Sequence, residues 1–143
     1  MVIDTSAVLA ILQDEPERRA FNEAIESAAT CSLSTASFVE ASMIVESRFG
    51  TDGVRDLDLF IAKAQITMVP VDIEQAHFAR RAFRQYGKGR HAAGLNFGDC
   101  FSYALARLLS EPLLFKGSDF AQCDADCHPA SRTAASDRRQ PIP

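Results

Sequence analysis

Met1-Val2-Ile3-Asp4-Thr5-Ser6, continuing into Ala7-Val8-Leu9-Ala10-Ile11-Leu12, is a short apolar run that stops at a carboxylate and then restarts as a longer apolar run. It reads as a buried strand over 2–5 followed at once by a helix over 6–13, the opening of a βα unit. In an open α/β sheet, ligands bind outside the carboxyl ends of the strands. Asp4 stands at such an end. Its plainer role is to cap the helix behind it, because Asp is a favoured N-cap. What raises it above a cap is that acids recur in equivalent places downstream.

The rest of the chain repeats the alternation. Asp14-Glu15-Pro16 breaks the first helix, and Pro16 suits the first position of a second one, running to about residue 29 with Phe21, Ala24 and Ile25 as its apolar stripe. A second strand over 31–34 leads to a helix over 36–49 that Gly50 ends. A further helix over 53–65 places Val54, Leu57, Phe60, Ile61 and Ala64 on one face. A third strand over 66–71 precedes a helix over 73–86 capped by Asp72. Residues 87–98 form a Gly-rich loop, long enough to be functional. A helix over 99–109, a fourth strand over 112–115 and a turn over 116–120 complete the pattern. Strands that alternate with helices imply βαβ units and a parallel sheet. Runs of adjacent apolar residues are what buried parallel strands show. The expected fold is α/β: one domain over 1–124, with a short parallel sheet of four to five strands flanked by helices. Residues 125–143 are expected to be a polar, disordered or loosely attached tail.

The 143 residues, 47% hydrophobic and 24% charged, are those of an ordinary soluble domain. No apolar run has membrane-spanning length, and the N-terminus lacks the features of a signal peptide. The expected location is the cytoplasm, with Cys31, Cys100, Cys123 and Cys127 as thiols. The net charge is −4, yet no acid lies between Glu74 and Asp99. That interval holds Arg80, Arg81, Arg84, Lys88 and Arg90, with His77 and His91. One basic segment on an acidic protein points to a polyanion held on one face; the blander alternative is a solvated helix face and loop.

Four carboxylates stand beyond strands or at helix starts: Asp4, Glu40, Asp99 and Asp119. Glu40 has Ala36, Ser37, Met43 and Ile44 as its helical neighbours, and Phe38, Val39 and Val45 flank it. A carboxylate on so apolar a helix is costly unless paired or metal-bound. In a parallel sheet the turns after strands one, two and four open at one edge, and the helix starting at Asp99 faces that edge by right-handed winding. Carboxylates that close cannot all ionise in isolation. The remedy is a divalent cation, and an all-oxygen set suits Mg²⁺ or Mn²⁺ rather than zinc. Cys123, Cys127 and His128 lack the second half of a zinc motif. Phe97, Phe101 and Tyr103 offer rings on which bases could stack, but are expected mainly to pack the core.

Val2-Ile3-Asp4-Thr5-Ser6-Ala7, Ser34-Thr35-Ala36-Ser37-Phe38-Val39-Glu40, Leu95-Asn96-Phe97-Gly98-Asp99-Cys100-Phe101-Ser102-Tyr103-Ala104 and Leu113-Leu114-Phe115-Lys116-Gly117-Ser118-Asp119-Phe120, in that order and spacing, resemble the PIN-domain ribonucleases. More narrowly they resemble the VapC toxins of bacterial toxin–antitoxin pairs. The resemblance implies that Asp4, Glu40, Asp99 and Asp119 are the catalytic, metal-binding acids, with Thr5 or Ser6 as an accessory contact and Asp124 as a further candidate. It also implies dependence on Mg²⁺ or Mn²⁺, cleavage of RNA such as transfer RNA, a homodimer, and an antitoxin that blocks the site. Lys88, Arg90 and the Arg80, Arg81 and Arg84 face are expected to hold the RNA backbone, with His91 a lesser candidate. One departure stands out: the family closes with a short apolar strand, and here the chain reads Ala125-Asp126-Cys127-His128-Pro129. The last edge strand is expected to be missing or badly formed. Other readings are a Mg²⁺-dependent phosphatase or phospho-receiver, which Pro70-Val71-Asp72 matches poorly, and a catalytically weak binding module.

Overall fold

The computed structural model describes the backbone of residues 1–136 and the side chains through residue 132. Four strands, β1 (Val2–Ile3), β2 (Ser32–Ser34), β3 (Thr67–Val69) and β4 (Leu113–Leu114), form one parallel sheet in the order β3-β2-β1-β4. The chain steps outward from β1 to β3, then returns to place β4 on the other side of β1. The sheet therefore changes direction between β1 and β4, the position where α/β sheets open a crevice.

Among the described residues six α-helices cover it: α1 (Thr5–Leu12), α2 (Arg18–Ser27), α3 (Thr35–Lys63), α4 (Ile73–Tyr86), α5 (Phe97–Leu109) and α6 (Pro129–Ser136). Successive strand residues point to opposite faces, and the two cores follow. Ile3, Leu33 and Leu114 pack with Val8, Ile11, Phe21, Val45 and Leu57 under α1, α2 and α3. Val2, Leu113 and Phe115 pack with Ala79, Tyr86, Leu95, Tyr103 and Leu105 under α4 and α5. Each fully buried large aliphatic or aromatic side chain stabilises the fold by about 1.5–3 kcal/mol.

Several boundaries move by a few residues. The second helix begins at Arg18, after Glu17, rather than at Pro16. The helices expected on either side of Gly50 run on as α3 across a kink where Gly50 takes φ 65°, ψ −151°, a conformation that a residue without Cβ adopts freely. The fifth helix begins at Phe97, two residues before Asp99, because Asn96 supplies the cap.

The C-terminal segment is the main correction. Beyond the expected boundary at residue 124 the chain stays on the domain. Cys127 makes an isolated parallel bridge to Leu113, in which Leu113 N–H donates to Asp126 O (2.7 Å) and His128 N–H donates to Leu113 O (2.9 Å). The Phe115 N–H donates to Ser131 Oγ at 2.9 Å. Ala125, Cys127 and Ser131 are buried, and Ala130 packs on the α1–α3 core. The small residues that make the segment look polar are what let it lie close to β4, and three hydrogen bonds replace a full fifth strand. The remainder of the expected tail, from residue 137, lies outside the described residues. Deleting residues 125 onward is expected to cost about 2–4 kcal/mol, from three hydrogen bonds at about 1 kcal/mol each plus the apolar contacts. Urea denaturation of the shortened chain checks this.

Candidate active site

The crevice between β1 and β4 is where the acids gather. Asp4 follows β1 and is 2% exposed. It does cap α1: its Oδ2 accepts from Ser6 N–H (3.0 Å) and Ser6 Oγ (2.6 Å). Its other oxygen, Oδ1, accepts from Ser102 Oγ at 2.5 Å, and Ser102 is joined to Ser37 Oγ at 3.1 Å. Capping and membership of the acid cluster are one arrangement, since the cap turns the carboxylate toward α3 and α5.

Asp99 is the third residue of α5 and half of a capping box. Its Oδ2 accepts from Asn96 N–H at 3.0 Å, while Asp99 N–H donates to Asn96 Oδ1 at 2.9 Å. Burial, then the charge of Asp4, push its carboxyl up from 3.8 to about 7; the Asn96 N–H opposes this, and Asp119 and Glu40 add to it. Burial also raises Glu40, against a hydrogen bond from Thr5, with Asp4 adding to the rise. Asp119, at the exposed turn after β4, is raised by desolvation and then by Asp4. Asp4 thus acts on each of the other three.

Glu40 reaches the cluster by lying against Gly98, the second residue of α5. A Cβ there would run into the Glu40 carboxyl. Its surroundings are less apolar than the helix pattern implies, because Val39 and Met43 are exposed.

Among the described residues, no three His, Cys, Asp or Glu side chains are drawn together into a closed metal cage. The donors are spread along an open edge. An all-carboxylate set in which Asp4 raises the proton affinity of Glu40, Asp99 and Asp119 fits a hard divalent cation, and Mg²⁺ in particular keeps several of its waters. By donor chemistry and by place, Asp4, Glu40, Asp99 and Asp119 fit that group.

The accessory residues do other work. The Thr5 hydroxyl donates to Ser37 O at 3.3 Å. The Ser6 hydroxyl donates to Asp4 and accepts from Lys116 N–H at 3.0 Å, which ties the turn after β4 to the start of α1. Lys116 itself pairs with Glu15 and Glu17. Asp124 belongs to a different group. It accepts from Tyr103 Oη at 2.5 Å and pairs with Arg107 at 3.5 Å, and the Tyr103 hydrogen bond holds its carboxyl below the usual range.

Arg80, Arg81, Arg84, Lys88 and Arg90 are all exposed. Arg81 lies over the Phe78 ring at 4.1 Å and Arg90 over Phe83 at 5.2 Å. The loop that carries Lys88 and Arg90 is pinned. Lys88 N–H donates to Leu95 O and Leu95 N–H to Tyr86 O, both at 2.9 Å. His91 accepts from Ala93 N–H through Nδ1 and meets the Tyr86 ring edge-on, so it staples the loop. Cys31, Cys100, Cys123 and Cys127 are free thiols.

Ser37, Ser102, Asn96 and Gly98 went unsingled in the sequence. The signal was spacing: Ser37 and Ser102 each lie three residues from a helical acid, on the same face. Ser102→Ala is expected to remove about 1.5–3 kcal/mol of stability, the worth of a hydrogen bond to a buried charge, and to lower activity about 10- to 100-fold by loosening Asp4. Chemical denaturation and a cleavage assay on one preparation check both.

A PIN domain family model matches residues 1–126. The chain belongs to the PIN-domain family. Within it, the most similar curated relatives include a ribonuclease VapC of Mycolicibacterium smegmatis, 53% identical over 124 residues that span 87% of this chain and 96% of the relative. Ribonuclease VapC30 of Mycobacterium tuberculosis is 52% identical, spanning 87% of this chain and 95% of its own. Among solved structures, Mycobacterium tuberculosis VapC20, described as a sarcin-ricin loop cleaving toxin, superposes with a TM-score of 0.71 at 12% identity. It spans 87% of this chain and 95% of its own. VapBC2 from Rickettsia felis, bound to a promoter DNA fragment, gives 0.67 at 12% identity over 86% and 92%. These structural likenesses show that the fold is shared. Among the described residues, no helix is long and apolar enough to cross a membrane.

Proposed function

We propose that this PIN domain is a divalent-metal-dependent endoribonuclease, the toxin of a toxin–antitoxin pair, acting on structured RNA such as transfer RNA. The observation that carries the reading is the raised Asp99, with its proton affinity lifted by burial and by Asp4, Asp119 and Glu40 together. Like charges crowded in this way favour a bound cation that offsets their repulsion. The relatives' names and the toxin–antitoxin structures among the neighbours support the reaction class and the antitoxin partner. We further propose a homodimer and Mg²⁺ or Mn²⁺ as the cofactor.

Asp4, Glu40, Asp99 and Asp119 would hold the cation, and a bound Mg²⁺ or Mn²⁺ would supply activation of a water and stabilisation of charge on the phosphate oxygens. Ser6 and Ser102 keep both Asp4 oxygens oriented, so no reorientation is needed when substrate arrives. The Asn96 N–H fixes one Asp99 oxygen and leaves the other without a hydrogen bond from that cap. Arg80, Arg81, Arg84, Lys88 and Arg90 hold the backbone of the RNA, an attraction that weakens with salt.

The test is to incubate the antitoxin-free protein with total cellular RNA in Mg²⁺ or Mn²⁺ and in EDTA. Discrete fragments that require metal are expected. Binding of RNA without any cleavage would instead favour a binding module.

A further inference from the structure

Between α4 and α5 runs an apolar groove of about 360 Å³, lined by Ala76, Ala79, Arg80, Phe83, Phe97 and Phe101. Phe97 is 79% exposed, the most exposed large apolar side chain among the described residues. It is not a core residue, contrary to the expectation from sequence. Its ring meets Phe101 edge-on at 4.9 Å, so it stands supported with one face open. The start of α5 does not require it, because the reciprocal capping box between Asn96 and Asp99 fixes the helix N-terminus without it.

We infer that this groove is a subsite for one unpaired base of single-stranded RNA flanking the scissile phosphate, and that Phe97 is the residue on which that base stacks. The inference rests on the ribonuclease reading and deepens it.

Position comes first. Phe97, Gly98 and Asp99 occupy one turn of α5. At about 100° per residue Phe97 points some 200° around the helix from Asp99, with Gly98 and its neighbour Glu40 between them. The groove therefore takes a nucleotide next to the reacting one, not the reacting one itself. Chemistry comes second. Unpaired bases are recognised by stacking on aromatic rings and on guanidinium planes beside a positive backbone track. The groove has both, since Arg80 lines it and Arg90 lies over Phe83. Charge comes third. The segment between Glu74 and Asp99 holds five cations and no acid. A second copy docking here about a twofold axis would bring this patch against itself, setting Arg80, Arg81 and Arg84 against their equals, whereas RNA brings the opposite charge.

The experiment measures fluorescence anisotropy in EDTA, where the full chain binds without cutting. The probes are labelled oligouridylate of about eight nucleotides and an abasic ribose-phosphate oligomer of the same length. Phe97→Ala is expected to weaken oligouridylate binding about 5- to 100-fold, the effect of losing one base–aromatic stack. It should leave the abasic probe and the salt dependence unchanged, and Phe97→Trp should restore affinity. Equal binding of oligouridylate by Phe97→Ala and the unaltered chain overturns the inference. So does an equal loss on both probes together with a shift from dimer to monomer by light scattering, which assigns the face to a second copy. If the unaltered chain neither binds nor cleaves RNA, the ribonuclease reading itself fails. If it cleaves in a metal-dependent way and Phe97→Ala binds normally, only the base subsite falls.

Discussion

Asp99→Asn is expected to lower RNA cleavage by at least two orders of magnitude while making the protein more stable at pH 8. The first effect follows from removing a charged donor where several kcal/mol of charge stabilisation is concentrated; about 3 kcal/mol is already two powers of ten in rate. The second follows from linkage. Asp99 has an ordinary value of 3.8 and is raised to about 7 in the folded protein. Between those values the folded state holds a proton that the unfolded state has released. Stability therefore falls as pH rises from about 4 to 7, and the loss is complete above 7. Asn carries no charge to bury and keeps an oxygen to accept from Asn96 N–H, so the variant escapes the loss. The difference above pH 7 is expected to be about 1–3 kcal/mol, reduced from the full 1.36 kcal/mol per pKa unit because water reaches part of the group. Thermal melts from pH 5 to 8 in EDTA check the sign: the two proteins should converge at low pH and separate as pH rises. Added Mg²⁺ should stabilise the unaltered chain more than the variant. Cleavage by the unaltered chain should rise with pH through about 7 and shift to lower pH as metal concentration increases.

Gly98→Ala is expected to lower cleavage about 10- to 100-fold with no loss of stability. The added methyl enters the space of the Glu40 carboxyl. That carboxyl ends a flexible side chain, so it moves aside and the fold does not. Ala also favours the helix over Gly by as much as about 1 kcal/mol. A core defect would show the reverse, with stability lost along with activity. A double-mutant cycle isolates the cause. On a Glu40→Ala background, Gly98→Ala should have no further effect on cleavage. A further drop of similar size would mean that Gly98 matters for another reason, such as close approach of the RNA backbone.

Much of this was legible in the linear chain. The alternation of apolar runs with helical stripes gave a parallel α/β sheet, and the four strands lie where those runs lie. Asp4, Glu40, Asp99 and Asp119 stood out because each sits where a strand ends or a helix begins. Other features were hidden for specific reasons. Residues 125–132 look like a tail because Ala, Ser and Asp carry little apolar surface, yet three hydrogen bonds to Leu113 and Phe115 hold them down. Asp124 lies in sequence close to Asp119, but the intervening single 3₁₀ turn, Phe120–Gln122, turns it toward Tyr103 and Arg107. Phe97 reads as core by residue type, and the capping box at Asn96 places it outside.

The sequence by itself determined the local units: which runs are strands, which faces of the helices are apolar, and which acids stand at their junctions. These follow from side-chain periodicity and capping, which act over a few residues. Only the tertiary structure decided that β1 lies between β2 and β4. That order opens the crevice between Asp4 and Asp119 and brings Ser102, 98 residues from Asp4 along the chain, within 2.5 Å of it. Strand order depends on which of several buried faces pack together, and residue type does not set it: β2 is Ser-Leu-Ser yet fully buried, while the more apolar β3 lies exposed at the edge.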